Sequence, residues 1–176
     1  MSGYDLHQKA AGIIRDSGGK LVGRTRLQKL AYLSQLAGFS HDFSFEYRRF
    51  GPYSEQLAQA MEIATGLRLV NEEEKKTDWG GWYSIYSVGE KNNADEGRVC
   101  FLSEAANIGA IELELAATAA FLFSEIGIGE ALPGDPWQET AQLKPEKAAD
   151  GRLDSAKAAY RELLKLETPV RLPAIV

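Results

Sequence analysis

One cysteine, Cys100, and two histidines, His7 and His41, are all that 176 residues contain of the usual soft metal ligands. A single thiol excludes an internal disulfide framework, and its use fits a reducing cytoplasm. One cysteine and two histidines make no spacing that closes a zinc site. The histidines therefore read as surface or capping residues. Cys100, between Val99 and Phe101, reads as a buried inert thiol. No apolar run is long enough to span a bilayer, and no secretory h-region opens the chain. A Walker loop, a dinucleotide fingerprint and a Gly-x-Ser-x-Gly elbow are all missing, so neither a cofactor nor a catalytic residue is expected. A basic excess is missing too. Lys and Arg number 20 against 25 Asp and Glu, a formal charge of −5. That removes the general attraction to phosphate without excluding nucleic acid. Internal repeats and low-complexity segments are absent.

What is present suits a globular body. The chain is 44% hydrophobic, enough to bury a core, and its length fits one domain or one domain with an extension. The most specific stretch covers 23–57. Thr25 and Gln28, three apart, read as a capping box. Leu27, Leu30, Ala31, Ser34 and Ala37 follow at helical spacing, widened by Leu33 and Leu36. Gly38 is a natural helix stop. Phe43, Phe45 and Tyr47 alternate with Ser44, Glu46 and Arg48, the period of a half-buried strand. Gly51-Pro52 reads as a tight turn, with Pro52 and Ser54 suited to opening a helix.

In chain order, a first helix is predicted over 4–16, with Leu6, Ala10, Ile13 and Ile14 on one face and Gly18-Gly19 as its end. Leu21 and Val22 fit a brief strand or an anchored loop. A helix over 54–65 carries Leu57, Met61 and Ala64, with Gly66 as its cap. Leu67, Leu69 and Val70 alternate like a strand. The segment 71–81 reads as a charged loop or hairpin tip, 82–88 as the returning strand, and 89–97 as a polar loop with Lys91, Asn92, Asn93 and Asp95. One long helix is predicted over 103–127, apolar nearly all round from Leu115 to Phe123. It packs on the first half or in a homodimer interface. A short helix broken near Pro145 lies within 137–149. A final amphipathic helix shows Leu153, Ala156, Tyr160, Leu163 and Leu164, and the tail with Pro169 and Pro173 is extended.

The order helix, helix, short strand, helix, two-stranded hairpin is that of a winged helix. The expected class is α+β and mostly helical. A winged-helix-like part with a β-hairpin wing covers 1–100, and a helical extension packed on it covers 101–176.

Three groups of side chains offer contacts. Arg24, Arg26 and Lys29, with Arg48 and Arg49, form a basic cluster that meets phosphates on a winged helix. The groove helix from Ser54 instead carries Glu55 and Glu62 and no basic residue, and the wing carries Glu72 to Glu74 and Asp78. Pairing of the arginines with local carboxylates, or with an acidic protein patch, therefore ranks ahead of DNA. Glu72, Glu73 and Glu74, followed by Lys75 and Lys76, read as a solvated loop tip rather than a cation site. Phe43, Phe45, Phe50 and Tyr53 read as core. Trp79, Trp82 and Tyr83, beside a polar tip, make contact anchors if exposed; for Trp82 the alternative is a core position. Arg48 and Arg49 point to opposite faces of their strand, so one of them faces inward and the other joins Tyr53 and the hairpin aromatics in a patch.

The segment GRTRLQKLAYLSQLAGF followed by FSFEYRRFGPYSEQL resembles the YwgA-like proteins of bacteria and archaea. More distantly it resembles the Panacea domain of SocA-like antitoxins. In both, a helix like Leu27-Gln28-Lys29-Leu30 precedes an aromatic strand and a Gly-Pro turn like Gly51-Pro52-Tyr53-Ser54. A Pro-Trp pair like Pro136-Trp137 recurs in the Panacea group, while the long hairpin 70–82 departs from its pattern. The resemblance covers about residues 10–75 well and the C-terminal half loosely. It implies a cytoplasmic, non-enzymatic module; in the Panacea group the implied role is binding and neutralising a toxin.

The resulting expectation is a regulatory or adaptor protein whose partner is another protein, a toxin or defence effector among the candidates. The alternative is a winged-helix DNA-binding regulator, and the third is an enzyme or its accessory subunit.

Overall fold

The computed structural model describes residues 6–89 and 95–175. The start of the first predicted helix and most of the polar loop with Lys91, Asn92 and Asn93 lie outside them. The order is α1 (Leu6–Asp16), β1 (Lys20–Val22), α2 (Arg24–Leu36), β2 (Glu46–Arg48), β3 (Gly51–Tyr53), α3 (Glu55–Gly66), β4 (Asn71–Lys76) and β5 (Trp82–Ser87). Then follow α4 (Glu96–Ala106), α5 (Ala110–Phe121) running into a π-helical turn (Leu122–Ile126), α6 (Pro136–Leu143), α7 (Pro145–Ala148) and α8 (Arg152–Leu164). The protein is α+β, mostly helical, with two small antiparallel sheets. One has the order β1-β5-β4, and the other is the β2-β3 hairpin.

α2 forms where the spacing of Leu27, Leu30, Ala31 and Leu33 predicts it, and all four are buried. It ends as expected. Gly38 takes φ 85°, a conformation glycine adopts without a Cβ clash, and Phe39 N–H returns to the Ser34 carbonyl at 3.1 Å. Its start differs. Gly23, not Thr25, is the N-cap, and no side chain caps it. Gln28 reaches away from its own helix end, so the capping box does not form.

The Gly51-Pro52 turn also differs. Gly51, Pro52 and Tyr53 form β3 and pair with Arg48, Tyr47 and Glu46. The chain reverses one step earlier, through Arg49 and Phe50, which stand between the paired strands. Pro52 is tolerated because β3 is paired on one side only. Ser54 does open α3, its hydroxyl accepting from Leu57 N–H at 3.1 Å. Leu57, Met61 and Ala64 are buried as their spacing requires. α3 includes Gly66, and Arg68 adopts φ 59°. Leu67 and Leu69 belong to that exposed turn rather than to a strand.

β4 is the second surprise, because NEEEKK has little strand propensity. It forms because β5, rich in Trp, Tyr and Ile, pairs with it along six residues from Asn71↔Ser87 to Lys76↔Trp82. The tip shrinks to Thr77–Gly81, where Gly80 N–H meets the Thr77 carbonyl at 3.1 Å and Thr77 N–H meets that of Gly81 at 2.7 Å.

The single helix expected over 103–127 is two helices bent by 119°. α4 stops at Ala106 and α5 starts after Gly109. α5 is the centre of the molecule. Leu113 through Phe121 are all buried, with α2 and β3 against it from the first hundred residues and α6 and α8 from the rest. Its buried face is packed against these elements of the same chain. α8 buries Ala156, Tyr160 and Leu163. Tyr160 meets Trp137 edge-on at 5.9 Å between centroids and donates to the Pro173 carbonyl at 2.6 Å. The extended tail buries Leu172 and Ile175, and Val170 N–H bonds the Ala37 carbonyl at 2.9 Å. It straps α8 to the end of α2. No single helix among the described residues is long and apolar enough to cross a membrane.

Candidate functional site

The residues expected to meet phosphate do other work. Arg26 donates to the carbonyls of Ala106 and Ile108, closing the end of α4, and its burial lowers its pKa. Lys29 is 1% exposed and donates to the Pro52 carbonyl at 2.7 Å. Of these three on α2 only Arg24 stays at the surface, and it is paired with Glu72 at 3.1 Å and Glu74 at 3.3 Å. The alternation of β4 aligns those two carboxylates on one face, so they are a built receptor for Arg24 rather than a loose tip. Burial opposes ionisation of Glu72, but hydrogen bonds from Ser84 and Arg24 outweigh it and hold its pKa below the usual carboxylate value. Pairing with local carboxylates thus holds for Arg24.

Arg48 and Arg49 are both exposed; neither turns inward. Arg48 pairs with Glu46 and with Glu55 at 3.3 Å, and its guanidinium lies 4.7 Å over the Tyr53 ring. Arg49 stacks on Phe50 at 5.4 Å. Phe50 is itself 45% exposed, not core, and Lys147 sits 4.7 Å over the same ring. Phe43 is buried and Phe45 packs edge-on against Tyr32 at 5.3 Å.

The wing aromatics are exposed. Trp79 is 86% and Trp82 67% open to solvent, so Trp82 is no core residue. The pleat separates them from Tyr83. Trp82 shares a face with Ser84 and Tyr86, whereas Tyr83 shares the other with Ile85. Hence the six proposed contact residues are not one patch. Tyr53 and Tyr86 line a cleft of about 440 Å³ between α2, α3 and the sheet, with Glu55, Glu62 and Glu72 around it. The sheet face at Tyr86 continues through Ser84 to Trp82. Arg48 and Tyr53 stand at the other side of this cleft, while Tyr83 and Arg49 belong elsewhere.

Beneath the β2-β3 hairpin lies a polar cluster that sequence reading misses. Glu114 of α5 is 4% exposed and receives Lys144 at 2.8 Å and Lys147 at 2.8 and 2.9 Å. Lys144, 7% exposed, also donates to the Arg49 carbonyl at 2.9 Å. With Lys29 on Pro52, two buried lysines hold the hairpin backbone, one at the turn and one in β3. Burial pushes the Lys29 pKa down to about 7; Glu114 opposes that, and Lys144 and Lys147 add to it. The one sequence signal was Glu114 flanked by Leu113 and Leu115 in an apolar helix, since a buried carboxylate demands a partner.

His7 is buried at 5% exposure and Cys100 is exposed, the reverse of expectation. Among the described residues no group of three or more His, Cys, Asp or Glu is placed to hold a metal ion.

No family model matches the chain. It is similar to a Bacillus subtilis (strain 168) protein described as uncharacterized protein YwgA, 32% identical over 89 residues. That alignment covers 50% of this chain and 52% of the relative, so the chain spans about half the length of the curated relative it matches. A YwgA-like relationship is thereby supported.

Proposed function

We propose that this chain is a non-enzymatic adaptor or regulator that binds another protein through the wing and the adjoining cleft, in the manner of an antitoxin. The observation that carries this reading is the exposure of Trp79 and Trp82 on a closed hairpin. A large ring held by two strands loses little entropy on contact, and tryptophan is the commonest binding anchor. Lys76 lies 6.0 Å over the Trp82 ring and Glu74 shares that face of the wing, so the surface beside the ring carries both signs of charge. The strand order β1-β5-β4 with α1, α2 and α3 is compatible with a winged helix carrying an inserted β2-β3 hairpin. That topology is what favours the second reading, a DNA-binding regulator. Against it, α3 exposes Glu55, Gln56, Gln59 and Glu62, and Arg26 and Lys29 are turned inward.

The experiment is capture from the native host with the wild type and a Trp79→Ala/Trp82→Ala variant of unchanged melting temperature. Loss of a specific captured protein with the variant supports the adaptor reading. Equal capture by both removes the wing from it. Nanomolar binding to one operator at physiological salt, with strong discrimination against random DNA, would reverse the ranking.

A further inference from the structure

β4 is an open edge of its sheet, since the strand order is β1-β5-β4. The alternation of hydrogen bonds fixes which of its backbone groups are unused. On β5, Ser84 and Val88 bond towards β1. The Ser84 carbonyl accepts from Gly23 N–H at 2.8 Å, and Val88 N–H donates to the Gly19 carbonyl at 3.0 Å. Tyr83, Ile85 and Ser87 therefore face β4, where they stand opposite Lys75, Glu73 and Asn71. The N–H and C=O groups of Glu72, Glu74 and Lys76 point the other way. Among the described residues no other element bonds them. Glu73, Glu74, Lys75 and Lys76 are exposed.

Such an edge is a template for another strand, and charges along it usually keep other strands away. Here the sign changes along the strand, with Glu72, Glu73 and Glu74 followed by Lys75 and Lys76. Run antiparallel to a second copy, the strand is its own complement. With Glu74 on the two-fold axis, Glu72 stands opposite Lys76 and Glu73 opposite Lys75, in both directions. That register also sets Glu72, Glu74 and Lys76, which carry the open backbone groups, against one another. Each such pair exchanges two hydrogen bonds. The central like pair, Glu74 on Glu74, is neutralised from the cleft side, because Arg24 of each copy holds Glu74 at 3.3 Å. A slip of two residues centres Glu73 on Glu73 or Lys75 on Lys75 and leaves fewer opposite pairs, so the charges select one register.

We propose that the β4 edge is a homodimer interface, in which the β4 strands of two copies pair antiparallel about Glu74. The sheet then runs β1-β5-β4-β4-β5-β1 across both copies, an isologous contact as a two-fold axis requires. The pairing lies in the plane of the sheet and leaves its faces open, exposed Trp82 included. It is therefore independent of the protein-binding reading.

The test is sedimentation equilibrium of the full chain. A sheet-edge contact of this length is a weak interface, so the chain is loaded at about 0.2 mM, where a dimer with Kd on the order of 0.1 mM is more than half formed. Glu73→Lys sets lysines against Lys75, and Lys75→Glu sets glutamates against Glu73. Each is expected to weaken the dimer at least about tenfold. An equimolar mixture of the two variants again has opposite charges across the interface and is expected to restore the dimer. Glu74→Pro removes an outward N–H, which an edge strand tolerates, and is expected to weaken pairing without lowering the melting temperature. A wild type that stays monomeric at this concentration overturns the proposal. A dimer that all three variants leave intact is held elsewhere and overturns it as well. Weakened variants that do not recover on mixing overturn the register.

Discussion

The side-chain amide of Gln28 satisfies both backbone groups of Ser54: its Nε2 donates to the Ser54 carbonyl at 2.9 Å and its Oε1 accepts the Ser54 N–H at 2.8 Å. Ser54 is at once the end of the β2-β3 hairpin and the N-cap of α3. One side chain of α2 therefore fixes where the hairpin stops and the helix begins. Both partners are buried, so water cannot replace either bond.

Gln28→Ala leaves that N–H without a partner, while the carbonyl keeps the Ala58 N–H at 3.2 Å. The expected loss is about 1–3 kcal/mol, from one unsatisfied buried group. Urea denaturation of the variant measures it. A loss below about 0.5 kcal/mol, the scale of an ordinary surface change, means that the amide pair does not hold the junction.

Glu114→Gln removes the carboxylate that holds Lys144 and Lys147. Breaking a buried pair from one side costs on the order of 3–5 kcal/mol, because the other charges stay behind. The variant is expected to melt much lower, and Lys144→Met in the same chain is expected to restore part of the loss. Additive effects of the two changes would show that the groups are not coupled.

Gly51→Ala meets two obstacles. Gly51 has φ 91°, which side chains rarely adopt, and the new methyl would meet Thr118 Oγ1 at 2.5 Å. A destabilisation of about 2–3 kcal/mol is expected from strain plus overpacking. Adding Thr118→Ala removes the contact but not the strained φ, so denaturation of the double variant should recover part of the loss and not all. Full recovery would assign the whole effect to the contact.

Lys29 sets a pH dependence. Its folded pKa of about 7 lies below the ordinary 10.5. Between those values the unfolded chain holds a proton that the folded chain lacks, so stability rises with pH, by about 1.4 kcal/mol per unit at most. Tyr32 and Tyr160 act in the opposite sense. Burial raises both pKa values, so the stability they contribute is present below pH 10 and lost as pH rises beyond it. Denaturation from pH 7 to 10 should therefore give a steeper rise for the wild type than for Lys29→Met. Equal slopes would leave Lys29 charged in the folded chain.

Trp79→Ala and Trp82→Ala are expected to change stability by less than about 0.5 kcal/mol each, as exposed positions do. Thermal melting checks this, and a drop of several degrees would recast the tryptophans as structural. Tyr83→Ala provides the comparison, since that ring lies on the opposite face of the wing and is half-buried.

Much of the architecture was legible because periodicity reports burial. The apolar stripes of α1, α2, α3 and α8, the stop at Gly38 and the cap at Ser54 all follow from side chains within one or two turns of each other. The position of Trp79 beside a polar, glycine-marked tip was legible too, but its exposure of 86% was decided by the fold. Where local signals competed with distant partners, reading failed. NEEEKK looks like a loop until β5 pairs with it. The helix over 103–127 looks continuous because α5 is apolar on all sides, which hides the break that Asn107 and Gly109 make.

The amino-acid order by itself thus determined which segments coil, which face of each is apolar, and that the chain carries two tryptophans outside its helical stripes. Only the tertiary structure decided what the polar residues do. Thr25-Gln28 satisfies a capping rule, but the amide gains more by closing two buried backbone groups at Ser54 than by capping an exposed helix end. Arg26 and Lys29 belong to a basic cluster of the kind that meets phosphate, yet each ends on a backbone carbonyl of another element. The reason is physical. A hydrophobic stripe depends on spacing along one element, whereas the destination of a long charged side chain depends on which unpaired groups another element brings within reach.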